Sequence, residues 1–412
     1  MIKQTINEIT NEIKGCFFSK ESPLTLFVCI LWGMMLVEYS RGIITKFPII
    51  GDYVDVVMVL IVVVPLLFSI PLFQKKFTLY DLLFYFSLVF VYLINYIEYP
   101  ENQDSLEAYA FICICQVFPY YFIGRILDIE KFYRLFVIIA VLTVCFYAFY
   151  FMFYVQSVKS AADAAAVLSE DNMYAAYQLL PHVAVIWWAT LRKFNVILCL
   201  FGLLGIVSLI SCGSRGPVAC LLIYIVSYFF LMAKFRYSKY TKAAILAICF
   251  FCATFAVETA LVFKAFFSEL GLSTRIVDRF LTGGLGHDTG RSDLRRVLYN
   301  LLDQSDNFFG YGFFGSQRYG IIYAHNIICD VIFTFGYIIG VVILMAIILL
   351  TGYAFIKSRG TFRQQFLFML ICIEMVKMCL SATFLTEPLF YLLIGYCVTI
   401  CVTPYDKLSK RE

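Results

Sequence analysis

NIICDVIFTFGYIIGVVILMAIILLTGYAFI, residues 326–356, runs for thirty-one residues with Asp330 as its one charged side chain. As a helix rising 1.5 Å per residue it measures about 46 Å. A bilayer's hydrocarbon core is about 30 Å thick and takes about 20 residues to cross. The stretch therefore reads as a membrane helix that is too long. It must tilt, kink near Gly336 or Gly340, or begin well outside the hydrocarbon.

Runs of this kind recur along all 412 residues, of which 62% are hydrophobic and 15% charged, with a mean hydropathy of +0.85. Ordinary soluble domains are about 45–50% apolar, so a soluble globule is excluded. Apolar segments bounded by charge fall at about 22–38, 54–73, 79–97, 108–125, 132–155, 172–191, 195–211, 217–233, 243–264, 326–356, 364–384 and 388–404. The fold expected is an all-α polytopic membrane protein with about twelve transmembrane helices. Helices one to nine occupy residues 1–264, a long external loop 265–325 and the last three helices 326–412, within a single integral-membrane domain. The first twenty residues lack the short apolar core of a cleavable signal, so the first membrane helix is expected to direct insertion. The 15 cysteines lie singly or as Cys113-x-Cys115 inside apolar runs, which suits small buried hydrophobes and neither a disulfide framework nor a zinc site.

Charge placement tests that parse. Lysine and arginine in short loops are retained on the cytoplasmic side. With both termini inside, twenty of the 32 basic residues are cytoplasmic, among them Lys75, Lys76, Arg192, Lys193, Lys357 and Arg359. The short external loops are acidic or nearly neutral, with Glu98, Glu101, Asp104 and Glu107 in one and Asp163, Glu170 and Asp171 in another. A net charge of +4 placed in this way implies the lipid bilayer as partner and no nucleic acid.

Twelve basic residues break the pattern. Lys377 lies inside the eleventh span, where Glu374 at i−3 is the simplest partner. The other eleven are external, and eight of them are arginines: Arg41, Arg215, Arg275, Arg279, Arg291, Arg295, Arg296 and Arg318. Arginine's planar fork binds phosphate oxygens in pairs, so this bias points to an anionic ligand on that side. Arg215 sits in the short turn CGSRGP, with Pro217 suited to the first turn of the next helix.

Within the long loop, RIVDRF (275–280) predicts a short interfacial helix with Arg275 and Arg279 one turn apart. LTGGLGHDTG (281–290), rich in glycine, predicts a flap. SDLRRVLYNLLDQ (292–304) predicts a second amphipathic helix capped by Ser292, with Leu294, Val297, Leu298, Leu301 and Leu302 on one face and Arg291 and Arg295 near its start. DNFFGYGFFGSQRYG (306–320) alternates aromatics with glycines, as either a loosely held platform for sugar faces or an interfacial aromatic belt. His325 follows, at the re-entry to the membrane on the arginine side, where an imidazole is able to exchange a proton near neutral pH. His182, after Pro181 in the sixth span, suits neutral packing, and His287 lies in the flap without a readable partner.

The turn SCGSRGPVAC (211–220), followed after a long external loop by TGRSDLRRVLYNLL, GYGFFG and YAHNIICDVIFTFGYIIG, resembles the O-antigen ligase and O-antigen polymerase superfamily of bacterial envelope glycosyltransferases. The likeness covers about residues 195–345. It implies a GT-C-like helical architecture with a large external loop, no metal and no cofactor, and a glycan donor carried on undecaprenyl diphosphate. It further implies that Arg215 and Arg291 hold the diphosphate and that His325 positions or deprotonates the acceptor hydroxyl. Arg275, Arg279, Arg295, Tyr323 and Asn326 are then expected to contact substrate. Arg275 to Gly286 and Arg279 to Gly290 match the Arg-x10-Gly spacing of the polymerases. Where the family often has leucine this chain has Cys329 and Asp330, so Asp330 either orients His325 or serves packing.

The expected activity is polymerisation of lipid-linked repeat units on the external face of a bacterial cytoplasmic membrane, with a chain-length regulator as a further partner. A ligase to lipid A core and a flippase of lipid-linked oligosaccharides are the alternatives. Two arginines in a water-poor site are able to stabilise a leaving diphosphate, as a divalent cation does elsewhere. No D-x-D occurs in the external loops to hold such a cation.

Overall fold

The computed structural model describes residues 23–34, 36, 53–73, 78–149, 164–232, 256–269, 274–282, 290–304 and 309–404. Fourteen helices are labelled here in chain order. They are α1 (Pro23–Gly33), α2 (54–73), α3 (Leu79–Glu98), α4 (Pro100–Ile126), α5 (Ile129–Phe149), α6 (Ala164–Arg192) and α7 (Val196–Ser211). Then follow α8 (Arg215–Met232), α9 (Ala256–Glu269), α10 (Arg275–Leu281), α11 (Arg291–Gln304), α12 (Ile327–Lys357), α13 (362–380) and α14 (Pro388–Val402). Helix stands within each of the twelve expected apolar segments, although 22, 35, 37–38, 150–155, 233 and 243–255 lie outside the described residues. Among the described residues five helices, α3, α4, α5, α8 and α12, are long and apolar enough to cross a membrane. Among the described residues no strand occurs.

The helices are built as lipid demands. On α3 the residues Leu79, Leu83, Phe86, Phe90, Leu93 and Ile97, three or four apart, are exposed, while Asp81, Tyr92 and Asn95 are buried. That is the reverse of a soluble amphipathic helix, and it satisfies an apolar solvent outside and hydrogen bonding inside. Thr78 and Asp81 close a capping box at its start. Among the described residues every cysteine is free and most are buried.

The chain forms two compact units, one of residues 1–136 with 290–412 and the other of 137–289. The long loop is thereby divided, 265–289 in the second unit and 290–325 in the first. In the first unit α4 and α14 meet backbone to backbone. A Cβ on Gly124 would fall 2.2 Å from the Leu392 carbonyl oxygen, and one on Gly395 would fall 2.1 Å from that of Tyr121. Small residues permit such an approach in membranes. Beside it the Arg125 guanidinium pairs with the Asp81 carboxylate, Nε to Oδ1 at 2.5 Å and Nη2 to Oδ2 at 3.1 Å, both side chains buried. In the second unit the Trp187 indole donates to the Gly202 carbonyl at 3.2 Å, and His182 is fully buried, in keeping with a packing role.

The over-long run resolves as a break at Gly336, whose φ of 76° and ψ of 170° are non-helical. Such angles are open to glycine and costly for other residues. The bend is sharp. A Cβ on Gly340 would fall 2.8 Å from the Cα of Ile332, eight residues earlier, whereas in a straight helix that separation is about 12 Å. The arm after the break, 337–357, measures about 31 Å and by itself matches a hydrocarbon core.

Residues 310–314 of the aromatic-glycine segment fill the break, while Phe309 and Tyr319 are exposed and 306–308 lie outside the described residues. Tyr311 N donates to the Phe333 carbonyl at 2.9 Å and Gly312 N to that of Thr334 at 3.0 Å, satisfying acceptors that the interrupted helix leaves open. The Tyr311 and Phe333 rings stack at 4.5 Å, and Phe313 and Phe314 are buried. Aromatic bulk and glycine alternate here because the rings pack inward while the backbone approaches another backbone.

Candidate functional site

In the first unit, α11 begins at Arg291, one residue before the expected start. Ser292 is thus the second helical residue and not the cap, and Leu294 N donates to the Gly290 carbonyl instead. Leu298 and Leu302 are buried against Ala324, Cys329, Ile332 and Phe333, with Leu294 and Leu301 packed alongside. Val297 departs from that face and is exposed. The helix therefore lies on the first arm of α12 and reaches the start of the second, where the Tyr337 hydroxyl donates to the Asp303 carboxylate at 2.7 Å.

His325 stands at the start of that arm with a φ of 54°, a left-handed backbone that costs a non-glycine residue about 1 kcal/mol or more. Its ring lies 4.1 Å from that of Tyr323. Asn326 caps α12, its Oδ1 accepting from Ile328 N at 2.9 Å and Cys329 N at 3.2 Å, while its Nδ2 donates to the Cys379 carbonyl at 3.2 Å. Burial, then the positive charges of Arg291 and Arg295, push the His325 imidazole down to about 4. It is thus neutral at physiological pH. Its Nδ1 is buried and has no hydrogen-bond partner among the described residues.

Arg291 and Arg295, i and i+4 on α11, both act on this imidazole, whereas Arg296 is exposed and pairs with Asp293 at 3.5 Å. Arg291 Nη1 also donates to the Leu380 carbonyl at 2.7 Å, one of the last carbonyls of α13. The α13–α14 turn completes the surroundings. Thr383 donates to Asp330 Oδ2 at 2.7 Å, which engages Asp330 in packing the arm against this turn. Lys377 Nζ lies 2.5 Å from Glu387 Oε1, a partner ten residues on that helical spacing did not single out. This turn escaped the sequence reading because its contributions are largely backbone carbonyls. The pair Glu374 and Glu387 around Lys377 was the one available signal.

The remaining expected residues belong to the second unit. Arg215 opens α8 after Ser214, Pro217 is its third residue, and the Tyr177 hydroxyl lies 2.0 Å from where a Cβ on Gly216 would stand. Arg275 and Arg279 occupy α10 one turn apart, as expected. That helix is tied to α9 by Lys264 and Asp278 at 2.7 Å, and Lys264 together with the Thr274 hydroxyl holds the Asp278 carboxyl below its ordinary range. The flap residues 283–289, including His287 and Gly286, lie outside the described residues. Gly290 is described and has a φ of 81°. Among the expected site residues, Arg291, Arg295, Tyr323, His325 and Asn326 are thus carried by one unit.

No family model, no curated protein and no solved structure matches this chain.

Proposed function

We propose that the chain is a metal-independent inverting glycosyltransferase that polymerises repeat units carried on undecaprenyl diphosphate. In this reading the protein has about twelve membrane spans of GT-C-like arrangement, with the His325 site on the external face of a bacterial cytoplasmic membrane. The observation that carries it is His325 itself, on a left-handed backbone against the Tyr323 ring, with the charges of Arg291 and Arg295 adding to burial in lowering its imidazole. The acceptor sugar hydroxyl hydrogen-bonds to His325, and its oxygen attacks the anomeric carbon of the donor glycan. The bond from that carbon to the diphosphate oxygen breaks, His325 takes the hydroxyl proton, and undecaprenyl diphosphate departs. Arg291 and Arg295 stabilise the charge that builds on the leaving group. A bound diphosphate also offsets their field at the imidazole, so the base strengthens when the donor is in place. The role of Arg215, and those of Arg275 and Arg279, rest on resemblance alone.

Reconstitution with lipid-linked repeat units, without nucleotide, ion gradient or metal, tests the reading. Longer lipid-linked glycans are expected, unaffected by EDTA, and Arg215→Lys is expected to lose most of the activity because lysine lacks the paired contact. Leaflet-to-leaflet movement of the donor without chain growth would replace the polymerase by a flippase.

A further inference from the structure

The first arm of α12 carries Asn326 and Asp330 and is preceded by His325, and one device sets its direction. At Gly310 (φ 76°) a Cβ would fall 2.4 Å from Gly336 N and 2.7 Å from the carbonyl oxygens of Phe333 and Thr334. The segment is held from behind as well as from the front. Asn95 Oδ1 accepts from Phe313 N at 2.7 Å, Asn102 Nδ2 donates to the Tyr311 carbonyl at 2.9 Å, and Arg318 donates from Nε to Asn102 Oδ1. The Tyr311 hydroxyl donates to the Leu301 carbonyl at 2.9 Å, so the same residue also grips α11, which bears Arg291 and Arg295.

We infer that the segment Gly310–Gly312 is a positioning wedge, which fixes the first arm of α12 against α11 and so holds His325 beside Arg291 and Arg295. Gly310 is the positioning residue. Without the wedge the freed carbonyls of Phe333 and Thr334 lose their donors, and the arm is no longer held at one angle to the rest of the helix. The inference leans on the proposed reaction for its consequence in turnover, but not for its geometry.

Its test reads the geometry directly. The intact protein in bilayers is treated with diethyl pyrocarbonate between pH 4.5 and 7.5, and ethoxycarbonylation of the imidazole of His325, one of three histidines, is followed peptide by peptide. An imidazole titrating at about 4 is about 90% neutral and reactive at pH 5, against about 3% for one at the ordinary 6.5. Gly310→Ala is expected to displace the arm, part His325 from the arginines and lower its reactivity at pH 5 several-fold relative to pH 7.5. Asn102→Ala, which removes an anchor without adding bulk, is expected to shift the profile in the same direction by less, and it decides the matter alone if Gly310→Ala does not fold. A wild-type profile in the folded variants would reduce the wedge to packing. A shifted profile in a protein that fails to extend lipid-linked glycans would overturn the polymerase and leave the wedge standing.

Discussion

The two arms of α12 are one apolar run in sequence and two different materials in the structure. In the second arm Ile338, Val342, Met345, Leu349 and Ile356 are exposed, and the Thr351 hydroxyl bonds to the carbonyl of Ile347 in its own helix. In the first arm Ile327, Cys329, Asp330, Val331, Ile332 and Phe333 are buried, and its polar groups bond to Cys379, Thr383, Tyr311 and Gly312. A helix facing lipid satisfies its backbone within itself and asks little of any one side chain. A helix end that presents a reactive group must be fixed from several directions, and each fixing contact comes from a segment distant in sequence.

The contrast is tested most severely at His325. Glycine there relieves the left-handed backbone, so His325→Gly is expected to keep or raise the melting temperature while turnover falls about 10²- to 10⁴-fold. Met345→Ala in the second arm is expected to leave turnover unchanged. Parallel thermal and product-length assays on both variants check the pair, and equal losses would erase the distinction between the arms.

A smaller effect separates the polar groups. Asp330→Ala removes the acceptor of Thr383 from a buried place and is expected to cost about 1–3 kcal/mol. Thr351→Val, which loses a bond internal to its own helix, is expected to stay within about 0.5 kcal/mol. Denaturation in mild detergent measures both.

A further effect is on pH dependence. With His325 at about 4 when folded and at the ordinary 6.5 when unfolded, the unfolded chain binds the extra proton between those values. Its contribution to stability is therefore constant above pH 6.5 and declines as pH falls from there towards 4. Turnover that needs the neutral imidazole is likewise expected to persist below pH 6.5. Arg295→Ala removes one of the two charges, so the acid limb of the turnover profile is expected to move up towards 6.5 without reaching it, because burial, the larger cause, remains.

Much of the fold was legible because hydropathy and charge are local. The boundaries of α3, α7, α8 and α14 follow from where apolar residues stop, and α10 and α11 from helical spacing. The break in α12 was legible as a conflict of lengths, 46 Å against 30 Å, with Gly336 as one of two candidate places. The wedge was not. GYGFFG reads equally well as a belt or a platform until its partners, Asn95, Asn102 and Phe333, are known, and two of those lie more than two hundred residues away. Asp81 with Arg125 escaped for the same reason, since Arg125 also fits the charge pattern of a loop. At the site, residue types chose His325, Arg291, Arg295 and Asn326. The carbonyls of Cys379 and Leu380 that hold two of them carry no side-chain signature.

The central claim is that the arm bearing His325 is set apart from the arm that crosses the bilayer. Nitroxides placed singly at Ile328 and Leu349, both exposed, and scored in bilayers for collision with oxygen against a water-soluble nickel chelate, test it directly. The label at Ile328 is expected to favour the nickel chelate and that at Leu349 to favour oxygen. Oxygen preference at both positions, with one continuous depth gradient along α12, would contradict the account.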